Sequence, residues 1–130
     1  MLKSYKVAAM IPAADFDRAR AWYREKLDLE PTPESKDDPN GVDYICGDGT
    51  RFAIYPSQFA GTGKQTVMGW LVPDVEVEMK ELSNRGVTFE EYDFPGLKTE
   101  GGIAQMGSER GCWFKDSEGN ILSLFESERA

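Results

Sequence analysis

Histidine, the side chain most often recruited for proton transfer and metal ligation, is absent from the 130 residues. Without it, Ser-His-Asp and Cys-His nucleophilic catalysis have no base. His-ligated zinc and facial-triad iron likewise have no ligands. A metal would have to rest on carboxylates, amides or the two thiols. Those thiols, Cys46 and Cys112, stand 66 positions apart and form no CxxC pair, so they read as reduced, buried structural cysteines. Carboxylates are plentiful, but none pairs as acid and base. Glu76, Glu78 and Glu81 share an expected helix, Glu90-Glu91 closes an expected strand, and both runs read as solvated surface. Gly61-Thr62-Gly63-Lys64 lacks the Walker spacing and is not a phosphate loop.

The elements that must position any site follow from hydrophobic period and turn residues. Lys6 to Pro12 is short, apolar and closed by proline, which predicts a strand. Asp15 then caps a helix running through Arg18 to Lys26, with Phe16, Ala19, Tyr23 and Leu27 as its buried stripe. Leu29 to Thr32 reads as a short strand before an exposed loop, Pro33 to Asn40. Gly41–Cys46 and Arg51–Tyr55 flank Gly47-Asp48-Gly49-Thr50, a hairpin signal. After an aperiodic stretch the order repeats. Thr66 to Pro73 predicts a strand, and Asp74 opens a helix through Val75, Met79 and Leu82 that stops at Gly86. Val87 to Tyr92 predicts a strand, Asp93 to Gly102 a loop and Ile103 to Met106 a brief pairing. Cys112–Lys115 and Ile121–Phe125 form a closing hairpin.

Asp15 and Asp74 lie 59 positions apart, each behind a proline-bearing strand. The agreement of the whole element order predicts an internal duplication. One domain of two modules, about 1–57 and 66–130 joined by linker 58–65, is expected. Composition fits a packed domain, with 40% hydrophobic and 12% aromatic residues. Fifteen basic against 23 acidic residues give a net charge of −8. That argues against nucleic acid and anionic membranes as partners. It would attract cationic small molecules. The polar start, Met1 to Lys6, predicts no signal peptide. No run approaches the roughly 18 apolar residues of a membrane span, so a cytoplasmic chain is expected.

Three stretches carry a family likeness. They are Pro12 to Leu27, Gly69 to Val75, and Trp113-Phe114-Lys115-Asp116-Ser117-Glu118-Gly119-Asn120 continuing to Glu126. Together they resemble the vicinal oxygen chelate superfamily of glyoxalase, bleomycin-resistance and extradiol dioxygenase proteins; Ser117 stands where the terminal hairpin usually has proline. The resemblance implies an α+β fold of two βαβββ modules forming a curved mixed sheet with a concave cleft, and a homodimer.

Metal-dependent members of that superfamily place one ligand on each of four strands. Carried over by motif, those positions are Ala8, Ala53, Trp70 and Ser123, a set that offers a cation one hydroxyl. No metal or other cofactor is therefore expected. Strand alternation puts Phe52 and Ile54, and Leu122 and Leu124, against the helices. The cavity face would then carry Ala8, Met10, Ala53, Tyr55, Met68, Trp70, Ser123 and Phe125. The expected ligand-binding residues are Met10, Tyr55, Met68, Trp70, Ser123 and Phe125. Trp70 would stack on an aromatic or cationic group. Trp113 is free to face either side, and Asp43 and Glu100 fall near loops that rim the cleft. The expected function is metal-independent binding of a small molecule, cationic or aromatic. A metal-free lyase- or isomerase-like enzyme, or a vestigial interaction module, are the alternatives.

Overall fold

The computed structural model describes residues 1–130. In chain order the elements are β1 (Ala8–Ala13), α1 (Phe16–Leu27), β2 (Val42–Ile45), β3 (Arg51–Pro56), β4 (Thr66–Val72), α2 (Val75–Asn84), β5 (Asp93–Phe94), β6 (Leu97–Lys98), β7 (Ile103–Met106), β8 (Glu109–Lys115) and β9 (Ile121–Glu126). Both helices begin where an aspartate satisfies free amides. Asp15 accepts from the Arg18 amide, and Asp74 accepts from those of Glu76 and Val77.

The strands form two mixed sheets, ordered β1-β3-β2 and β4-β9-β8-β7. The pairs β1–β3 and β4–β9 are parallel and the remaining pairs are antiparallel. The architecture is an open α+β arrangement, and β1 and β4 approach each other without forming a ladder. Leu29 to Thr32 is not a strand; its one tie to the sheet is the Thr32 amide donating to the Asp43 carbonyl. Val87 to Tyr92 is reduced to a bridge between Phe89 and Phe114, because β7 already occupies most of that edge of β8. Within the expected loop 93–102, β5 and β6 make a small ribbon.

Alternation decides which side of each sheet is buried. Ile11, Val42, Tyr44, Phe52 and Ile54 on the first sheet, and Val72, Cys112, Phe114, Leu122 and Leu124 on the second, join Ala19 and Tyr23 of α1 and Val75 and Leu82 of α2 in one core. The rings of Tyr44 and Phe52 stack at 4.7 Å, and Trp22 stacks on Phe114 at 6.4 Å. Helix α1 therefore packs on both sheets. We call these the helix faces and the opposite sides the open faces.

A polar latch closes the core at one end. The β8–β9 turn is organised by Asp116, whose carboxylate accepts from the amides of Glu118 and Asn120 and from the Tyr23 hydroxyl at 2.8 Å. Asn120 donates to the Pro12 carbonyl, and its side-chain oxygen accepts from the Gly61 amide. Gly61 has a φ of 69° and lies so close to the Glu118 carbonyl that a Cβ there would collide. Glu118 accepts from the Asp15 amide at 2.7 Å and from the Arg18 guanidinium at 2.8 and 3.1 Å. Burial alone would raise the Glu118 carboxyl; the donors from Arg18, Asp15 and Ser117 outweigh it and hold the group below its ordinary value.

Candidate functional site

The four family metal positions are placed by strand register. Ala8 and Ala53 lie on the open face of the first sheet, paired with Arg51 and Met10. Ser123 lies on the open face of the second, beside Trp113 and Gly69. Trp70 does not join them. It is paired with Leu124 on the helix face, and its ring meets Phe52 edge-on at 6.1 Å. Met68, paired with Leu122, lies on that face too. Two features fix this parity. The β4–β9 register shifts between Thr66 and Met68, breaking the alternation that the sequence suggests. A side chain at position 69 would strike the Ser123 hydroxyl, so glycine takes the open-face position and Trp70 falls on the helix face.

With the register corrected, Gly69 replaces Trp70 and the donor set becomes Ala8, Ala53, Gly69 and Ser123. These residues do not fit a divalent cation. Nowhere in the chain do three His, Cys, Asp or Glu side chains gather as ligands. The Ser123 hydroxyl is 1% exposed and has no hydrogen-bond partner.

The remaining expected binding residues separate. Met10, 59% exposed, and half-buried Tyr55 stand on the open face of the first sheet. Phe125 stands on that of the second, edge-on to Trp113 at 5.7 Å. Met68 and Trp70 line a cleft of about 200 Å³ at the seam between the sheets, with Cys46 and Arg51. Asp43 is exposed on the first open face, opposite Ala53, and Glu100 pairs through its backbone with Ile103.

A larger cavity with aromatic walls lies elsewhere. Trp113 faces the open side of the second sheet and is only 5% exposed, because the 92–98 segment folds across it. Phe94, Tyr92, Trp113 and Phe125 form a file of rings with successive centroids 5.6, 5.7 and 5.7 Å apart, each pair tilted or edge-to-face. Beside it is a cavity of about 420 Å³ lined by Tyr92, Phe94, Leu97, Trp113 and Ile121, with Lys64, Thr66, Glu90 and Lys115 as its polar groups. The Trp113 indole donates to the Thr66 hydroxyl at 3.1 Å. Lys115 pairs with Glu90 at 3.4 Å, and the Glu90 amide donates to the Trp113 carbonyl. Burial raises the Tyr92 phenol, with Glu90 adding to the shift. A larger concavity, about 670 Å³, is walled by Glu109, Glu126, Glu128 and the chain end and has no aromatic side chain.

Sequence reasoning missed Tyr92, Phe94 and Leu97. The available signal was Pro95-Gly96, the central pair of a type II turn, flanked by Phe94 and Leu97.

Compared by sequence, the chain matches no family model and no curated protein. Compared by structure, it is similar to a member of the glyoxalase/bleomycin resistance protein/dioxygenase superfamily from Sphaerobacter thermophilus, at 26% identity and TM-score 0.66 over 95% of this chain and 97% of that one. This is the vicinal oxygen chelate fold. A glyoxalase/bleomycin resistance protein from Catenulispora acidiphila is 23% identical with TM-score 0.65, over 94% and 97% of the two chains. The fosfomycin resistance protein FosX from Listeria monocytogenes is 12% identical with TM-score 0.64, over 95% and 93%. These likenesses give the chain its fold, with Ala8, Ala53, Gly69 and Ser123 at the four positions that the motifs pick out.

Proposed function

We propose that this vicinal oxygen chelate chain binds a planar organic molecule beside Trp113, without a divalent cation, and releases it unchanged. The observation that carries the reading is the aromatic file Phe94–Tyr92–Trp113–Phe125 beside a cavity large enough for a two-ring compound. No paired acid and base face each other across the cavity. Glu90 is tied to Lys115, the Thr66 hydroxyl has no base beside it, and the Tyr92 phenol is held protonated. Cys112, the buried thiol, is pushed up to about 12 by burial and is no nucleophile at neutral pH. A second copy of the chain would cover Met10, Ile45, Val67 and Leu71, apolar side chains exposed on the strands of the two sheets, which makes the working form a homodimer.

The test is titration calorimetry with naphthalene-2-methanol, a neutral two-ring probe, followed by chromatography of the recovered probe. Saturable binding that weakens at least tenfold in Phe94→Ser, with the probe recovered intact, supports the reading; Phe94 is exposed, so that variant keeps the fold. Conversion of the probe by substoichiometric protein, or binding indifferent to Phe94→Ser, overturns it. Sedimentation gives the oligomeric state, and a monomer at the working concentration removes the dimer from the proposal.

A further inference from the structure

Resting on that binding reading, the geometry points to the chemical class of the guest: a planar aromatic with one negative charge, its carboxylate or equivalent group held between the Lys64 ammonium and the Thr66 hydroxyl.

The charges lining the cavity run against those of the chain. The molecule carries −8 overall, yet the charged groups lining the cavity beside Trp113 are two lysines and one glutamate. Lys115 and Glu90 neutralise each other at 3.4 Å. The position of Glu90 is held by the bond from its own amide to the Trp113 carbonyl. Lys64 has no carboxylate partner and is the one uncompensated charge on the cavity wall. It stands two residues before Thr66 at the entrance to β4.

Thr66 supplies the second half of an anion site. Its oxygen accepts from the Trp113 indole, and a hydroxyl that accepts in this way keeps its own proton to donate. The structure gives that proton no acceptor within the chain. One ammonium and one hydroxyl on the wall of an aromatic slot match the two oxygens of a carboxylate. Tyr92, Phe94 and Trp113 would hold the ring.

The same arrangement disfavours the other charge states. A cation would meet the uncompensated Lys64 ammonium on the cavity wall. A dianion such as a phosphate monoester would meet Glu90 and the negative field of the whole chain, with one free lysine to offset them. The cationic guest suggested by net charge alone is therefore replaced by an anionic one, because charges within a few ångströms of the ligand outweigh those a Debye length away.

The experiment compares three probes of one shape by titration calorimetry: 2-naphthoate, naphthalene-2-methanol and 2-naphthylmethylammonium. The expected order is naphthoate tightest, by about tenfold over the alcohol, with the ammonium weakest. Lys64→Gln should weaken naphthoate about tenfold and the alcohol much less, so that the two bind about equally. Thr66→Ala should weaken naphthoate more than the alcohol, and raising the salt should weaken naphthoate alone. Equal or tighter binding of the alcohol or the ammonium, or naphthoate binding unaffected by Lys64→Gln, overturns the anionic class and leaves the aromatic cavity standing. Failure of all three probes to bind overturns the cavity reading itself.

Discussion

Ser123 shows how a single buried side chain can cost stability. It occupies a family ligand position, yet its hydroxyl is buried without a partner against Gly69. An unsatisfied buried hydroxyl costs stability, so Ser123→Ala should be neutral or stabilise by about 1 kcal/mol in urea denaturation. Gly69→Ala should destabilise the wild type, and less so in the Ser123→Ala background, where the colliding oxygen is gone. Trp113 and Trp70 make the complementary pair. Trp70→Ala should lower stability by roughly 3 kcal/mol while leaving probe affinity within twofold, because its ring belongs to the helix face.

At the scale of elements, the β8–β9 turn is a latch with a defined pH response. The folded-state pKa of Glu118 lies below its ordinary value, so its bonds to Arg18 and Asp15 stabilise the native state above that ordinary value, near 4.5. The contribution is lost as pH falls through the depressed folded-state value. Thermal melts should therefore weaken below about pH 4.5, and Glu118→Gln should flatten that acid limb while lowering stability at neutral pH. Glu126 acts in the same direction at the start of α2, where Arg110 and the Val75 amide hold it ionised.

Elements of this kind were largely legible in the sequence. Asp15 and Asp74 announce both helices, and Phe52/Ile54 and Leu122/Leu124 announce the helix faces by simple alternation. The register of β4 was not legible, because a bulge near Thr66 leaves no compositional mark and shifts every later side chain to the other face. The cavity was hidden for a different reason. Tyr92 and Leu97 meet Trp113 only because the 92–98 ribbon folds back across a sheet, a long-range event that local pattern does not encode.

Across the whole molecule, the vicinal oxygen chelate fold carries Ala8, Ala53, Gly69 and Ser123 at the four positions where the resemblance would place metal ligands. Chelation should then be without effect. EDTA should leave both the melting temperature and naphthoate affinity unchanged, and added Mn²⁺, Ni²⁺ or Zn²⁺ should raise neither; a metal-dependent rise in melting temperature would contradict the corrected register.

The latch also dictates when this protein can come into being during its own synthesis. The residues that fasten Pro12, Asp15, Arg18 and Tyr23 are Asp116, Glu118 and Asn120, about a hundred positions downstream. A chain emerging from the ribosome must hold α1 without these bonds, on its contacts with the first sheet alone, until the β8–β9 hairpin has cleared the exit tunnel. Stalled intermediates ending before residue 116 should stay open to protease attack within their first thirty residues, and release of the finished polypeptide should close that window at once.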